Sequence, residues 1–511
     1  MTANAEAAAP REPIWLYAGL TVVAVAVPLV LIRHLSLWYD ELFSAYFAAQ
    51  GPDYLLRQGW AQETNPPFYY LLLWAWSELF GRSEAALRAP SLLAEIGTLP
   101  VVYAIARRLE AAPAAAWRAV AVYACGAATV QYALMVRTYA LWTLFVALAM
   151  LVLVCGIRAL AAPEPDRDRR CLKYGAGFAA ASVAALYAHD VTVVFAGAAD
   201  ATFLAAWWWQ RGRSLRALGA WIAPQLVGLL IALPQLLVIA NQVQASEIDW
   251  IPQASPLMAV GVLVELFGGP PYPGMLLRTI VAAVVLLLFL WGAVAAIRRR
   301  SPATALVLLI VVGFALLYAV SMWRPILLAR TALWLLAPVA IVIALAMDGI
   351  RRNAARLAAA LGVIVLLGAN TILGTWFSLQ EPWRDIVKVI AAGKQPDDLV
   401  VVMDATPITA LLYYAPGAAG WTIRRWSLGQ RSAASSAVRA LEDRLMPMPG
   451  IGPREMVASL QQGRAVWLVS RLPSEIPMHD AFDQQALPGT EPTVRVRRGS
   501  IILSRMAQAG H

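Results

Sequence analysis

Charge is what this 511-residue sequence has least of: Asp, Glu, Lys and Arg make up 14% of it, against about 25% in soluble domains. A chain so short of charge must turn most of its length toward lipid or a buried helical bundle. Cysteine is almost absent. Cys125, Cys155 and Cys171 lie in or beside apolar segments, with none in the C-terminal region, so neither a disulfide framework nor a cysteine metal site is implied. There is no P-loop, no G-x-G-x-x-G after a strand, no H-E-x-x-H and no G-x-S-x-G setting. Nucleotide hydrolysis and soluble dehydrogenase chemistry therefore have nothing to rest on. A cleavable signal pattern is missing too, because Ile14–Ile32 is long enough to span and no small-residue cleavage site follows it. No internal repeat is found.

What the chain has instead is hydrophobicity: 60% apolar residues and a mean hydropathy of +0.62. Runs near spanning length predict about eleven crossings, at 14–33, 91–108, 115–134, 138–158, 174–189, 191–209, 217–240, 275–297, 302–321, 331–349 and 355–376. The +10 net charge does not mark a nucleic-acid partner, since the basic residues sit in short clusters between apolar runs. Alternate loops carry Arg107, Arg108 and Arg118; Arg158, Arg167, Arg169, Arg170 and Lys173; Arg211, Arg213 and Arg216; Arg298 to Arg300; and Arg351, Arg352 and Arg356. All fall on one side if the N-terminus is cytoplasmic, and an odd count then puts the C-terminal region outside. Twenty tryptophans suit interfacial anchoring and stacking on ligands such as sugars.

The opposite side collects polar and aromatic material. A first outer loop runs from 34 to 90; others contain His189–Asp190, the segment 241–274, and SMWRPILLAR from Ser321 to Arg330. Within the first loop, NPPFYYLLLWAWSELFG (65–81) reads as a helix beginning after two prolines, too short to span. It is expected to lie in the interface or dip into the bundle. After about residue 377 the composition shifts. EPWRDIVKVIAAG reads as an amphipathic helix with Ile386, Val389 and Ile390 on one face. DDLVVVMDA, AVWLVSRLP and VRVRRGSIILSRM read as strands, and TPITALLYYAPG as a second helix. The expected architecture is a polytopic α-helical membrane region, 1–376, followed by a small α/β domain, 377–511, outside the membrane. The Ala-rich residues 3–9 are expected to be disordered, and Arg424 to Arg454 is uninformative.

Chemistry concentrates on that outer side. SLWYDELFSAYF (36–47) sets Asp40 and Glu41 at the rim of the first span among Trp38, Tyr39, Phe43 and Tyr46. A rim carboxylate is either a solvated helix end within an aromatic belt or a reactive group. Neighbours in sequence point about 100° apart on a helix, so the pair cannot flank one bond as two glycosidase carboxyls do. A division of labour follows, one at the substrate and one holding a backbone, an arginine or a metal. Arg324, Arg330 and Arg137 each read as a snorkelling interfacial arginine or as a phosphate clamp. His189 reads as an interfacial hydrogen-bonding residue or a metal ligand, with Glu63 a candidate partner that no spacing motif supports.

The ordered set W-x-D-E, N-P-P-F-Y-Y, L-R-A-P-S-L, V-R-T-Y, Y-A-H-D and R-T-A-L-W-L-L-A-P, over about residues 14 to 400, resembles a known family. It is similar to the GT-C membrane glycosyltransferases of the protein O-mannosyltransferase and lipid A aminoarabinose transferase superfamily, in its broad bacterial branch. The resemblance implies transfer of a sugar from a polyprenyl-phosphate donor to a lipid, glycan or protein acceptor, at the outer face of the bacterial inner membrane. It implies Asp40 as catalytic carboxylate with Glu41 beside it. Arg330 is implied at the lipid phosphate, and Arg137 and Tyr139, with Arg324 and Tyr69, at the substrates. His189 is implied at a divalent ion; the family's upstream glutamate does not align cleanly with Glu63, which stays only a candidate partner. The acidic residue that the aminoarabinose branch carries near V-R-T-Y is missing here, which leaves lipid A unassigned as acceptor. A transporter or flippase of polyprenyl-linked glycans would show repeats and midplane ionisable groups, whereas these groups gather at one rim. A glycan polymerase or ligase remains the chemical neighbour.

Overall fold

The computed structural model describes residues 12–244, 251–271, 274–378, 381–402, 406–415, 417, 420–426, 450–471, 492–498 and 501–507. The Ala-rich residues 3–9 and most of the polar stretch 424–454 lie outside them. The chain divides into two compact units. The first comprises Met1–Leu31, Thr64–Tyr69 and Arg88–Ser378; the second comprises Ile32–Glu63, Tyr70–Leu87 and Leu379–His511. Much of the first outer loop therefore groups with the C-terminal region rather than with the membrane helices.

The first unit is a multi-pass helical membrane domain. Among the described residues nine helices are long and apolar enough to cross a membrane: Ile14–Leu31, Glu84–Arg108, Tyr139–Ala159, Asp166–Ala188, Leu215–Gln242, Met275–Arg298, Thr304–Trp323, Ala329–Gly349 and Asn353–Thr375. The two remaining expected spans form differently. Residues 115–134 split into Pro113–Ala124 and Ala127–Ala133 around an extended Gly126, and Thr371 Oγ1 donates to the Cys125 carbonyl at 2.7 Å to hold the break. Thr192–Trp209 is a full helix, but Asp200 and three tryptophans make it less apolar. A hydropathy pattern registers neither the tether nor the break.

An ion cluster ties this unit together. Arg118 is fully buried and donates to Glu12 at 2.8 Å, to the Ala344 carbonyl at 2.9 Å and to Asp348, while Arg356 donates to Glu12. The two guanidiniums and two carboxylates balance, as burial of charge requires.

In the second unit, six strands order as β3-β2-β1-β4-β6-β5, with β1 Leu399–Val402, β2 Thr422–Trp426, β3 Gly450–Ile451, β4 Val466–Arg471, β5 Pro492–Arg498 and β6 Ile501–Met506. The first four are parallel, and β6 and β5 add antiparallel. Parallel strands need crossovers. Helices Thr406–Tyr414 and Pro453–Gln461 lie in sequence between β1 and β2 and between β3 and β4. Leu399, Val401, Val466, Leu468, Met456 and Leu460 close one core. The helix Trp383–Gly393 buries Trp383, Ile386, Val387 and Ile390. Its face follows the i, i+3, i+4, i+7 spacing from Trp383, so Val387 takes the place expected for Val389.

Candidate functional site

In the second unit the helix Tyr39–Ala48 carries the carboxylate pair, and three hydrogen bonds fix its first turn. Trp38 is extended (φ −93°, ψ 176°), and its N–H donates to Glu41 Oε2 at 3.1 Å, the side-chain half of a capping box. Tyr39 N–H donates to Glu381 Oε2 at 3.2 Å, and Leu37 N–H to the Tyr414 hydroxyl at 2.6 Å. Glu41 is 1% exposed and thus holds a backbone, which answers where the second carboxylate of the pair points. Asp40 is half-buried in the same first turn, where the helix dipole favours an anion. Phe47 packs edge-on to Tyr54 and Tyr70 and closes on Gly59, where a Cβ would meet its ring. Glu63 is buried and accepts the Tyr70 hydroxyl at 3.2 Å.

In the first unit the V-R-T-Y and Y-A-H-D segments meet. Thr138 Oγ1 donates to the Ala188 carbonyl at 2.7 Å, and Trp142 Nε1 to Thr192 Oγ1 at 2.8 Å. Thr192 in turn donates to the His189 carbonyl at 2.6 Å. The His189 ring stacks on Trp142, centroids 4.7 Å apart, and lies 5.6 Å from the Tyr139 ring. Arg137 is nearly buried, its guanidinium 5.9 Å from the Tyr139 centroid. Tyr69 does not turn its hydroxyl to solvent: it hydrogen-bonds Ser91 Oγ at 3.1 Å, and Ser91 donates to the Arg137 carbonyl at 3.2 Å. Tyr69 therefore supports Arg137 from behind.

His189 Nδ1 accepts the Val191 N–H at 3.2 Å, so the neutral ring carries its proton on Nε2. Burial first, and then the guanidiniums of Arg330 and Arg137, hold its pKa down at about 3. A neutral imidazole with Nδ1 so engaged offers a donor, whereas a metal at Nε2 would require loss of that proton. Among the described residues no group of three or more His, Cys, Asp and Glu comes together.

Arg330 is the second residue of the 3₁₀ segment Ala329–Leu335, whose start is held by Thr331, which accepts from Leu328 N–H at 3.1 Å. Arg330 acts electrostatically on both His189 and Glu265, and Glu265 also on Arg278. Arg324 instead reaches the Gln242 carbonyl, at 3.4 Å. The short helix Pro256–Gly268 brings Glu265, and its last residue abuts Arg278, since a Cβ on Gly268 would overlap the Arg278 carbonyl. Arg278 is 7% exposed and its Nε has no hydrogen-bond partner. A wholly apolar cavity of about 420 Å³ has walls from the same elements: Leu263 and Phe267 beside Glu265, Leu286 and Phe289 beyond Arg278, and Leu335 and Val339 beyond Arg330. Glu265 and Arg278 are absent from the sequence-derived set. The available signal was a single charge inside an apolar run, which is expensive and so rarely idle.

Comparisons with known proteins agree with this layout. Residues 64–238 match the family model of dolichyl-phosphate-mannose-protein mannosyltransferases. No curated protein sequence matches the chain. Among solved structures, ArnT from Cupriavidus metallidurans in the apo state is similar at 13% identity and a TM-score of 0.57, covering 96% of this chain and 97% of that one. The same protein bound to undecaprenyl phosphate gives 12% identity, a TM-score of 0.54 and the same coverage. The apo oligosaccharyltransferase from Archaeoglobus fulgidus gives 14% identity and a TM-score of 0.52, over 91% of this chain and 71% of that one. The chain has the GT-C fold of membrane glycosyltransferases, as its ordered motifs suggested, with a small α/β domain at its C-terminal end.

Proposed function

We propose that the protein transfers a sugar from a polyprenyl-phosphate carrier to an acceptor hydroxyl at the outer face of the inner membrane. The observation that carries this reading is the arginine group of the first unit, Arg137, Arg330 and Arg278, of which Arg330 and Arg278 lie on elements that also wall a wholly apolar cavity. The guanidiniums of Arg330 and Arg278 beside the single carboxylate of Glu265 suit a phosphate. The cavity gives an apolar chain somewhere to lie, and a lipid-linked phosphate has both parts. ArnT bound to undecaprenyl phosphate, which shares the fold, supports the same donor class.

In this reading Asp40 accepts the proton of the acceptor hydroxyl as its oxygen bonds to the anomeric carbon. The bond from that carbon to the phosphate oxygen breaks, and the electron pair stays on the phosphate, facing Arg330 and Arg137. His189 adds an Nε2–H donor to that anion. A divalent ion, if one binds, would add further charge to the phosphate. Asp40→Asn is expected to abolish transfer in membranes while expression, melting temperature and donor binding stay as in wild type; normal turnover in that variant overturns the assignment. Mass spectrometry of polyprenyl-phosphate sugars that co-purify in native lipids identifies the donor.

A further inference from the structure

Glu381 opens the C-terminal region and is only 7% exposed. Two donors reach its Oε2: Trp383 Nε1 at 2.9 Å and the Tyr39 N–H, 342 residues back in the sequence, at 3.2 Å. Trp383 is fully buried, so its indole cannot turn away from the carboxylate. Pro382 disfavours helical backbone at Glu381, and the Trp383 N–H donates to the Glu381 carbonyl at 2.8 Å. The run Glu-Pro-Trp thus builds a rigid acceptor, and what it holds is a backbone group of the first outer loop.

Tyr39 is the first residue of the helix Tyr39–Ala48, and Asp40 is the second. The N–H groups of a first turn have no partner within their own helix, and the dipole favours anionic acceptors for them. Trp38 finds Glu41, inside the helix; Tyr39 finds Glu381, outside it. Leu37 donates to the Tyr414 hydroxyl, which gives its own proton to Glu84 Oε1 at 2.5 Å. Glu84 pairs in turn with Arg384, whose N–H donates to Ser36 Oγ at 3.4 Å. The chain that enters the helix is therefore held at Ser36, Leu37 and Tyr39 by Arg384, Tyr414 and Glu381, all within the second unit.

We propose that Glu381 is the positioning residue of Asp40, an inference that rests on the transferase reading and names what sets its base in place. Glu381 acts through the Tyr39 N–H, one residue before the base. A charged acceptor holds that N–H more strongly than a neutral one. Without it the start of the helix is free to shift, and a displacement of about 1 Å at a reacting group can cost about 100-fold in rate. The α/β domain thereby contributes to the chemistry itself, through the one element that carries the base.

The test measures turnover of the full-length protein in membranes of its own host, which supply the acceptor. The probe donor is the polyprenyl-phosphate sugar that co-purifies with wild type, added back in isotope-labelled form, and the polyprenyl phosphate released is counted per folded molecule. Glu381→Ala is expected to lower kcat by about 10–100-fold and to leave the donor KM as in wild type, since the arginines read as holding the phosphate belong to the first unit. Glu381→Gln should restore most of the turnover, because its amide oxygen still accepts from Tyr39 and Trp383. A merely structural Glu381 would lower folded yield and spare turnover per folded molecule. That outcome, a change in KM without one in kcat, or a glutamine variant as slow as the alanine one overturns the positioning role. Should Glu381→Ala fold too poorly to assay, Glu381→Asp keeps the charge and draws it back by one methylene; a fall in kcat is again expected, and normal turnover overturns the role. Asp40→Asn, assayed alongside, separates the two readings: normal turnover there overturns the base itself, whereas a dead Asp40→Asn with a normal Glu381→Ala overturns the positioning role alone.

Discussion

The Val191 N–H on His189 Nδ1 and the stacked Trp142 fix this imidazole in one tautomer between two arginines. The unfolded chain takes up a proton near pH 6.5, and the folded state refuses it until about pH 3. Stability is therefore full above pH 6.5 and falls as pH drops toward 3, by about 2 kcal/mol on reaching pH 5. Melting curves at pH 7 and pH 5 should show this loss, and His189→Gln should flatten it. Sequence alone left His189 open between hydrogen bonding and metal binding, and its hydrogen-bond partner, a backbone group two residues on, is not legible in a motif. Glu41 was legible only as the member of the pair that points elsewhere. Its target, the Trp38 N–H, depends on the helix starting at Tyr39 and not a residue earlier. Asp40, Arg137 and Arg330 stood out as charges next to apolar runs, whereas Glu265 sits in a run too short to span and Arg278 near the start of a long one, where it passes for a helix end.

The helix Pro256–Gly268 shows what one backbone contact does for an element. Ser255 accepts the Met258 N–H at 3.2 Å to start it, and Asn370 donates to the Gly268 carbonyl at 3.0 Å to anchor its end. Gly268→Ala would drive a methyl into the Arg278 backbone and separate this helix from Met275–Arg298. A loss of about 1–3 kcal/mol, the usual range for overpacking, is expected in thermal melts, with donor affinity falling in parallel because Arg278 shifts. Long apolar helices were legible from periodicity and length, as the spans near 14–33, 138–158 and 275–297 illustrate. The break at Gly126 was not, because Cys-Gly-Ala-Ala keeps the run apolar while Thr371, far away in sequence, holds the kink. The parallel order of β1, β2, β3 and β4 was equally hidden, since alternation of elements gives the class of a sheet and not its strand order.

Over the whole molecule, two sequence signals proved sufficient for the fold: the count of apolar runs and the order of short motifs. The basic clusters between apolar runs are expected in loops, yet a member of one, Arg118, is a fully buried ion-pair centre. Arg118→Met would leave Glu12 with Arg356 alone and take from Asp348, 37% exposed, the guanidinium it accepts from; removing one partner of a fully buried pair costs about 3–5 kcal/mol, and solvent at Asp348 keeps the loss below that. A marked fall in folded yield and melting temperature is the expected result, measured by fluorescence-detected size exclusion. Replacing both sides, Arg118→Met with Glu12→Gln, should recover part of that loss, since fewer lone charges remain.

The same cluster has a consequence for biogenesis. Glu12 precedes the first membrane helix, and its partner Arg356 lies 344 residues later, in the last one. At about 5–20 residues per second, the ribosome takes roughly 20–70 s to deliver the second cation after the first anion. Arg118 follows Glu12 by 106 residues, so for the rest of that interval the nascent N-terminus can pair with Arg118 but not with Arg356. The ion cluster is thus completed only when the helix Asn353–Thr375 arrives, and a chain truncated just before residue 356 would leave it one cation short.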